Sequence, residues 1–149
     1  MSIAGALHPA TRTALADGMV AGMAAWAVSG LPSTASALLR GADPSQGVVA
    51  AGTLLLPDDA PAARLVVAGA AAHTVLSLGW ATVFALALPA RRTVAAGLGG
   101  ALAVAALDLG AIGRRYPRIR ALDPGPQVAD HLAFGAVVAA VVARRRAHR

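Results

Sequence analysis

Apolar residues run along this chain in four long blocks, and the connections between them hold nearly every charge. The blocks cover residues 13–31, 62–88, 93–112 and 127–143. Pro32 ends the first. Asp59 and Pro61 precede the second and Pro89 stops it. Arg91-Arg92 introduces the third, and Pro124-Gly125-Pro126 the fourth. About 20 apolar residues rising about 1.5 Å each cross a bilayer core. The pattern predicts an all-α integral membrane bundle of four transmembrane helices, a single domain over 1–149. The uncharged part of the fourth block, Leu132 to Ala143, is short for a span, so Asp130 and His131 must enter the interface or the bundle.

The first connection, Pro32 to Ala63, is the longest and has structure of its own. Ser33 to Leu39 suits two helical turns. Asp43-Pro44 is an N-cap followed by proline at the first helical position. The apolar piece Val48 to Leu56 is too short to span. It either dips back into the bundle or lies at the interface, and the interface is the favoured position. One or two short interfacial helices are therefore expected. The link Pro89 to Arg92 is so short that the second and third helices must run antiparallel side by side.

Small residues recur at helical spacing. Gly18, Gly22, Ala25 and Ser29 share one face of the first helix, and Gly97 and Ala101 share one of the third. Such stripes let another helix approach closely, within the chain or in an oligomer. Asp17 is peripheral in this reading, at headgroup level near a helix N-terminus, where negative charge is favoured. Arg12 and the small-residue triplet Ala35-Ser36-Ala37 raise the question of a cleaved signal peptide. The length of the first run, with Asp17 inside it, favours a retained helix.

Composition strengthens the membrane reading. Hydrophobic residues make up 57% and charged residues 13%, against about 25% charged in soluble domains. The net charge of +6 comes entirely from arginine. Because the arginines cap apolar runs, they point to a lipid bilayer and away from nucleic acid. There is no cysteine, so disulfides, zinc–thiolate sites and cysteine catalysis are excluded.

With four spans, both termini share a side with the Arg91-Arg92 link. That side has Arg12, Arg91, Arg92, Arg144, Arg145, Arg146 and Arg149 in short segments without acids. The other side has Arg40, Arg64, Arg114, Arg115, Arg118 and Arg120, accompanied by Asp43, Asp58, Asp59 and Asp123. The denser basic side places both termini in the cytoplasm of a multi-pass cell-membrane protein. The tail Arg144 to Arg149 reads as a basic anchor.

The same threading brings His73, Asp108, Asp130 and His131 into one half of the membrane. Ionised groups there need pairing, hydrogen bonds or neutralisation. A carboxylate beside an imidazole shares a proton. Arg114 or Arg115 is the alternative partner for Asp108. Such a polar intramembrane pocket serves either as the fastening of a bundle, a role given slightly more weight, or as a path for a small solute, ion or proton.

Three function classes follow. The leading one is a non-enzymatic protein supporting passage through the pocket. The second is a structural subunit, with a homo-oligomer or a membrane partner protein docking on the small-residue stripes. The third is a small haem or metal protein using His73 and His131. No tight metal motif, nucleophile elbow or phosphate loop is present. No catalytic residue, metal or cofactor is therefore expected.

Several short stretches carry a resemblance. They are Gly30-Leu31-Pro32-Ser33-Thr34, Ala50 to Leu55, Ala72-His73-Thr74-Val75-Leu76-Ser77, Leu107-Asp108-Leu109-Gly110 with Ile112 to Pro117, and Ala129-Asp130-His131 to Gly135. Together they resemble small actinobacterial four-helix membrane proteins of unassigned function. The histidines of the second and fourth helices, with the long first connection, are more loosely similar to the YagU-like inner-membrane family. The resemblance implies four helices and a membrane role, and supplies no catalytic residue.

Overall fold

The computed structural model describes residues 8–149. The elements are α1 (Pro9–Val28), α2 (Leu31–Leu39), α3 (Gln46–Gly52), α4 (Ala62–Ala87), α5 (Thr93–Ala105), α6 (Pro117–Arg120) and α7 (Pro124–Ala147). No strand occurs among the described residues. Four helical stretches are long and apolar enough to cross a membrane: Pro9–Leu39, Ala62–Ala87, Thr93–Arg115 and Pro124–Ala147. The last is longer than its apolar run, because the helix carries on through Arg144, Arg145 and Arg146.

The first stretch bends at Ser29-Gly30 and continues as α2. Proline at the start of α2 suits that junction, since its N–H would have had no helical partner. The third stretch leaves α5 through a π-turn, Ala106–Ile112, and a 3-10 turn, Gly113–Arg115. The Gly113 N–H donates to Asp108 O, five residues back. Asp43 accepts from the Ser45 N–H and hydroxyl in the turn before α3. The N–H bond first, and the hydroxyl second, hold its carboxyl below the usual range.

Close approach is bought by small side chains. α1 lies between α4 and α7, and α7 lies between α1 and α5. A Cβ on Gly18 would sit 2.6 Å from Thr82 Cα, and one on Gly22 3.1 Å from Leu78 Cα. A Cβ on Gly97 would meet Ala139 at 2.5 Å, and one on Gly135 would meet Ala101 at 2.5 Å. Ala25 and Ala101 are fully buried. Both stripes thus face neighbouring helices of the same chain, which corrects their reading as oligomer faces. Phe84, Val104, Phe134, Val138 and Val142 fill the core between these helices.

α3 runs antiparallel along the first half of α4, with Gly52 against Leu65 and Gly69 against Val48. Gly69 lies about 10 Å along α4 from Ala62 at helical rise. Two glycines allow backbone-to-backbone contact here, so the apolar piece buries itself on protein. α6 packs against α3 in turn, and Arg118 pairs with Asp58.

Asp17 is also corrected. It is 1% exposed and accepts from Arg145 Nε at 2.7 Å and from Arg149 Nη2. Arg146 donates to Leu88 O and Ala85 O, both at 2.9 Å, and so caps the C-terminal carbonyls of α4. A buried carboxylate demands such partners. Three tail arginines therefore fasten the end of the bundle where α1 begins and where α4 and α7 finish.

Candidate functional site

The opposite half of the bundle holds a half-open cavity of about 510 Å³. The end of α1, the start of α2, the middle of α4, the π-turn and the first turns of α7 all contribute to it, and α3 closes one side. Its walls are largely apolar, with Trp26, Trp80 and Phe134 among them. His73, Asp108, Asp130 and His131 line it together.

Each polar group has a local cause. Asp108 sits in the π-turn, where the helix winds more widely than about 3.6 residues per turn. Position i+7 then no longer returns to the face of position i. That is why Arg115 does not reach Asp108, as a regular helix would allow. Arg114 and Arg115 are exposed in the 3-10 turn. The carboxylate is instead paired with His131, whose Nε2 lies 3.4 Å from Asp108 Oδ2. This replaces the arginines as charge partners of Asp108.

The histidine geometry places a proton. His131 Nδ1 is 2.8 Å from Gln127 O, and a carbonyl only accepts, so Nδ1 carries hydrogen. A neutral ring would then aim the Nε2 lone pair at a carboxylate oxygen. The contact is favourable only with a proton between them, as imidazolium beside carboxylate or as imidazole beside carboxylic acid. In both forms the pair sums to zero charge. The separation is long for a hydrogen bond, so a small movement makes or breaks it.

Asp130 has a different partner. Its Oδ1 accepts from the Ser33 N–H at 2.9 Å. Ser33 is in the first turn of α2, whose own N-cap, Gly30, offers no side chain. A carboxylate of α7 thus caps α2 from across the bundle. Arg40, at the other end of α2, pairs with Asp123 at 3.3 Å, so two acids at the start of α7 hold both ends of that short helix. His73 reaches across to α1, with Nε2 3.3 Å from Trp26 O.

Some cavity groups gave little sign in the sequence. Ser29 belongs to the small-residue stripe, yet the residue also lines the cavity, and its Oγ is buried without a hydrogen-bond partner. Trp26 shares the cavity end of α1 with it, at a position the stripe pattern does not mark. Both ring nitrogens of His131 are engaged, and no group of three ionisable ligands suited to a metal occurs among the described residues.

No relative emerges. No protein-family model matches the chain, and no match is found among curated proteins or solved structures. The cavity's chemistry is therefore the guide to function.

Proposed function

We propose that this is a non-enzymatic multi-pass membrane protein whose cavity binds a small solute and couples it to proton exchange at Asp108 and His131. The observation that carries this reading is the convergence of four ionisable side chains on one cavity of about 510 Å³ with largely apolar walls. Its volume lies within the range of small-molecule sites, and apolar walls with a few converging polar groups are their usual composition. Ionisable groups at membrane depth mark solute and proton paths more often than other positions do. The π-turn supports it further, since such turns concentrate at functional sites.

The proposed orientation has both termini in the cytoplasm and the cavity toward the opposite leaflet. Acids temper the basic charge at the cavity end, through Arg40–Asp123 and Arg118–Asp58. At the terminal end Asp17 is the one acid, against seven arginines. The balance favours a cytoplasmic terminal end. Exposed Met19, Met23, Val67, Val75, Val83 and Leu86 provide an apolar surface suited to lipid.

Proton flux into liposomes loaded with a pH-sensitive dye tests the coupling. The reconstituted protein should exceed empty liposomes, and Asp108→Asn and His131→Ala should each remove most of the excess while leaving the protein folded. Flux at the empty-liposome level for the unaltered protein, under an imposed gradient, overturns proton passage.

A further inference from the structure

We infer that the solute taken by this cavity is a small organic ammonium ion, held by the Asp130 carboxylate and the faces of Trp26 and Trp80. The inference rests on the reading of the cavity as a solute site and names the solute's class.

Charge balance is the first support. The chain has 13 arginines, and none of them lines the cavity. The Asp108–His131 pair holds a proton and sums to zero. That leaves Asp130. Its Oδ1 accepts from Ser33 N–H, and among the described residues no cationic side chain forms a salt bridge with it. Burial beside apolar walls disfavours an unpaired carboxylate, and a ligand cation entering the cavity supplies the counter-ion that lets Asp130 ionise.

The aromatic groups are the second support. Trp26 and Trp80 both line the cavity, and His73 stands 6.4 Å from Trp26, ring centre to ring centre. Indole faces attract cations, most strongly where water is excluded. Leu76, Val48 and Phe134 add apolar wall, which suits an alkyl or aryl body and offers nothing to a bare metal ion. An anionic solute would instead meet two acids and no arginine.

Both tryptophans of the chain line the cavity, so tryptophan emission responds to a ligand bound there. The protein in lipid nanodiscs is titrated with benzyltrimethylammonium, with neopentylbenzene as its uncharged carbon isostere, and with benzenesulfonate. The ammonium ion should change the emission saturably and bind roughly tenfold or more tightly than the isostere. Benzenesulfonate should give no saturable change. Asp130→Asn should remove most of the preference for the cation. That variant also alters the cap of α2, so the ligand comparison in the unaltered protein decides by itself if it misfolds. Equal affinity for the isostere overturns the ammonium assignment and leaves a solute cavity standing. Saturable binding of benzenesulfonate alone, or of none of the three, also overturns it, and proton flux then judges the solute reading separately.

Discussion

Gly69 and Gly79 stand on the same helix, and replacing each with alanine should have opposite effects. At Gly79 a Cβ meets nothing within 4 Å. Gly79→Ala then gains helix propensity, worth up to about 1 kcal/mol. At Gly69 a Cβ would lie 1.9 Å from Val48 O, 2.9 Å from Val48 C and 3.0 Å from Gly52 N. These are backbone atoms of α3, so no rotamer change relieves the clash. α3 must withdraw from α4 by about 1 Å or more to restore a contact beyond 3.0 Å. Overpacking of this kind costs about 1 to 3 kcal/mol, and a rigid backbone neighbour puts Gly69→Ala near the top of that range. Subtracting the propensity gain leaves a net loss of about 2 kcal/mol, and the two variants should differ by about 3 kcal/mol. Unfolding by dodecyl sulfate in mixed micelles, followed by far-UV circular dichroism, measures both. Because α3 forms one side of the cavity, Gly69→Ala should also shift tryptophan emission, whereas Gly79→Ala should not. Equal midpoints for the two variants would refute the docking of α3 along α4.

Two more outcomes test the ends of the structure. Removing a partner from a buried ion pair costs about 3 to 5 kcal/mol. Arg145 and Arg149 are each 42% exposed and can return to water, so Asp17→Ala should cost less, about 1 to 2 kcal/mol in the same micelle assay. An unchanged midpoint would mean that Asp17 sits in the headgroups after all. In the turn before α3, Asp43 titrates below the ordinary value of 3.8, owing first to the Ser45 N–H and then to its hydroxyl. Its folded value is depressed, so its stabilising contribution is present above the unfolded value and is lost as pH falls through the folded one. Carboxyl NMR should show the low midpoint, and Ser45→Ala should raise it; a midpoint at the ordinary value in the unaltered protein contradicts the turn.

The four long helices were legible because hydrocarbon imposes a length and a composition that read directly from the chain. The short link at Pro89–Arg92 fixed the direction of its neighbours, and alternation then put His73, Asp108, Asp130 and His131 in one half of the membrane. Depth alone does not choose partners. Asp108 has arginines six and seven residues on, and nothing in the composition of Ala106–Ile112 announces the wider π-turn that carries Arg115 away from its face. Asp130 caps a helix 97 residues earlier in the chain, an interaction with no local signature. Asp17 did carry a clue. An acid within an apolar run shares its end of the bundle with the arginine-rich tail, and burial turns that coincidence into a requirement. Docking of α3 was similarly half-visible in Gly52 and Gly69, whose significance depends on the helix each one faces.

The Asp17 clamp also sets an order on biosynthesis. Arg145 is translated 128 residues after Asp17, a delay of about 6 to 26 s at ordinary rates of about 5 to 20 residues per second. Throughout that interval the carboxylate lacks its partners and must stay where water or other polar groups reach it. Only the arrival of Arg145 and Arg149 lets it be buried as it is in the finished bundle. α1 is thus made well before it is secured, and a ribosome that stalls before Arg145 leaves an unpaired acid as a mark of an unfinished bundle.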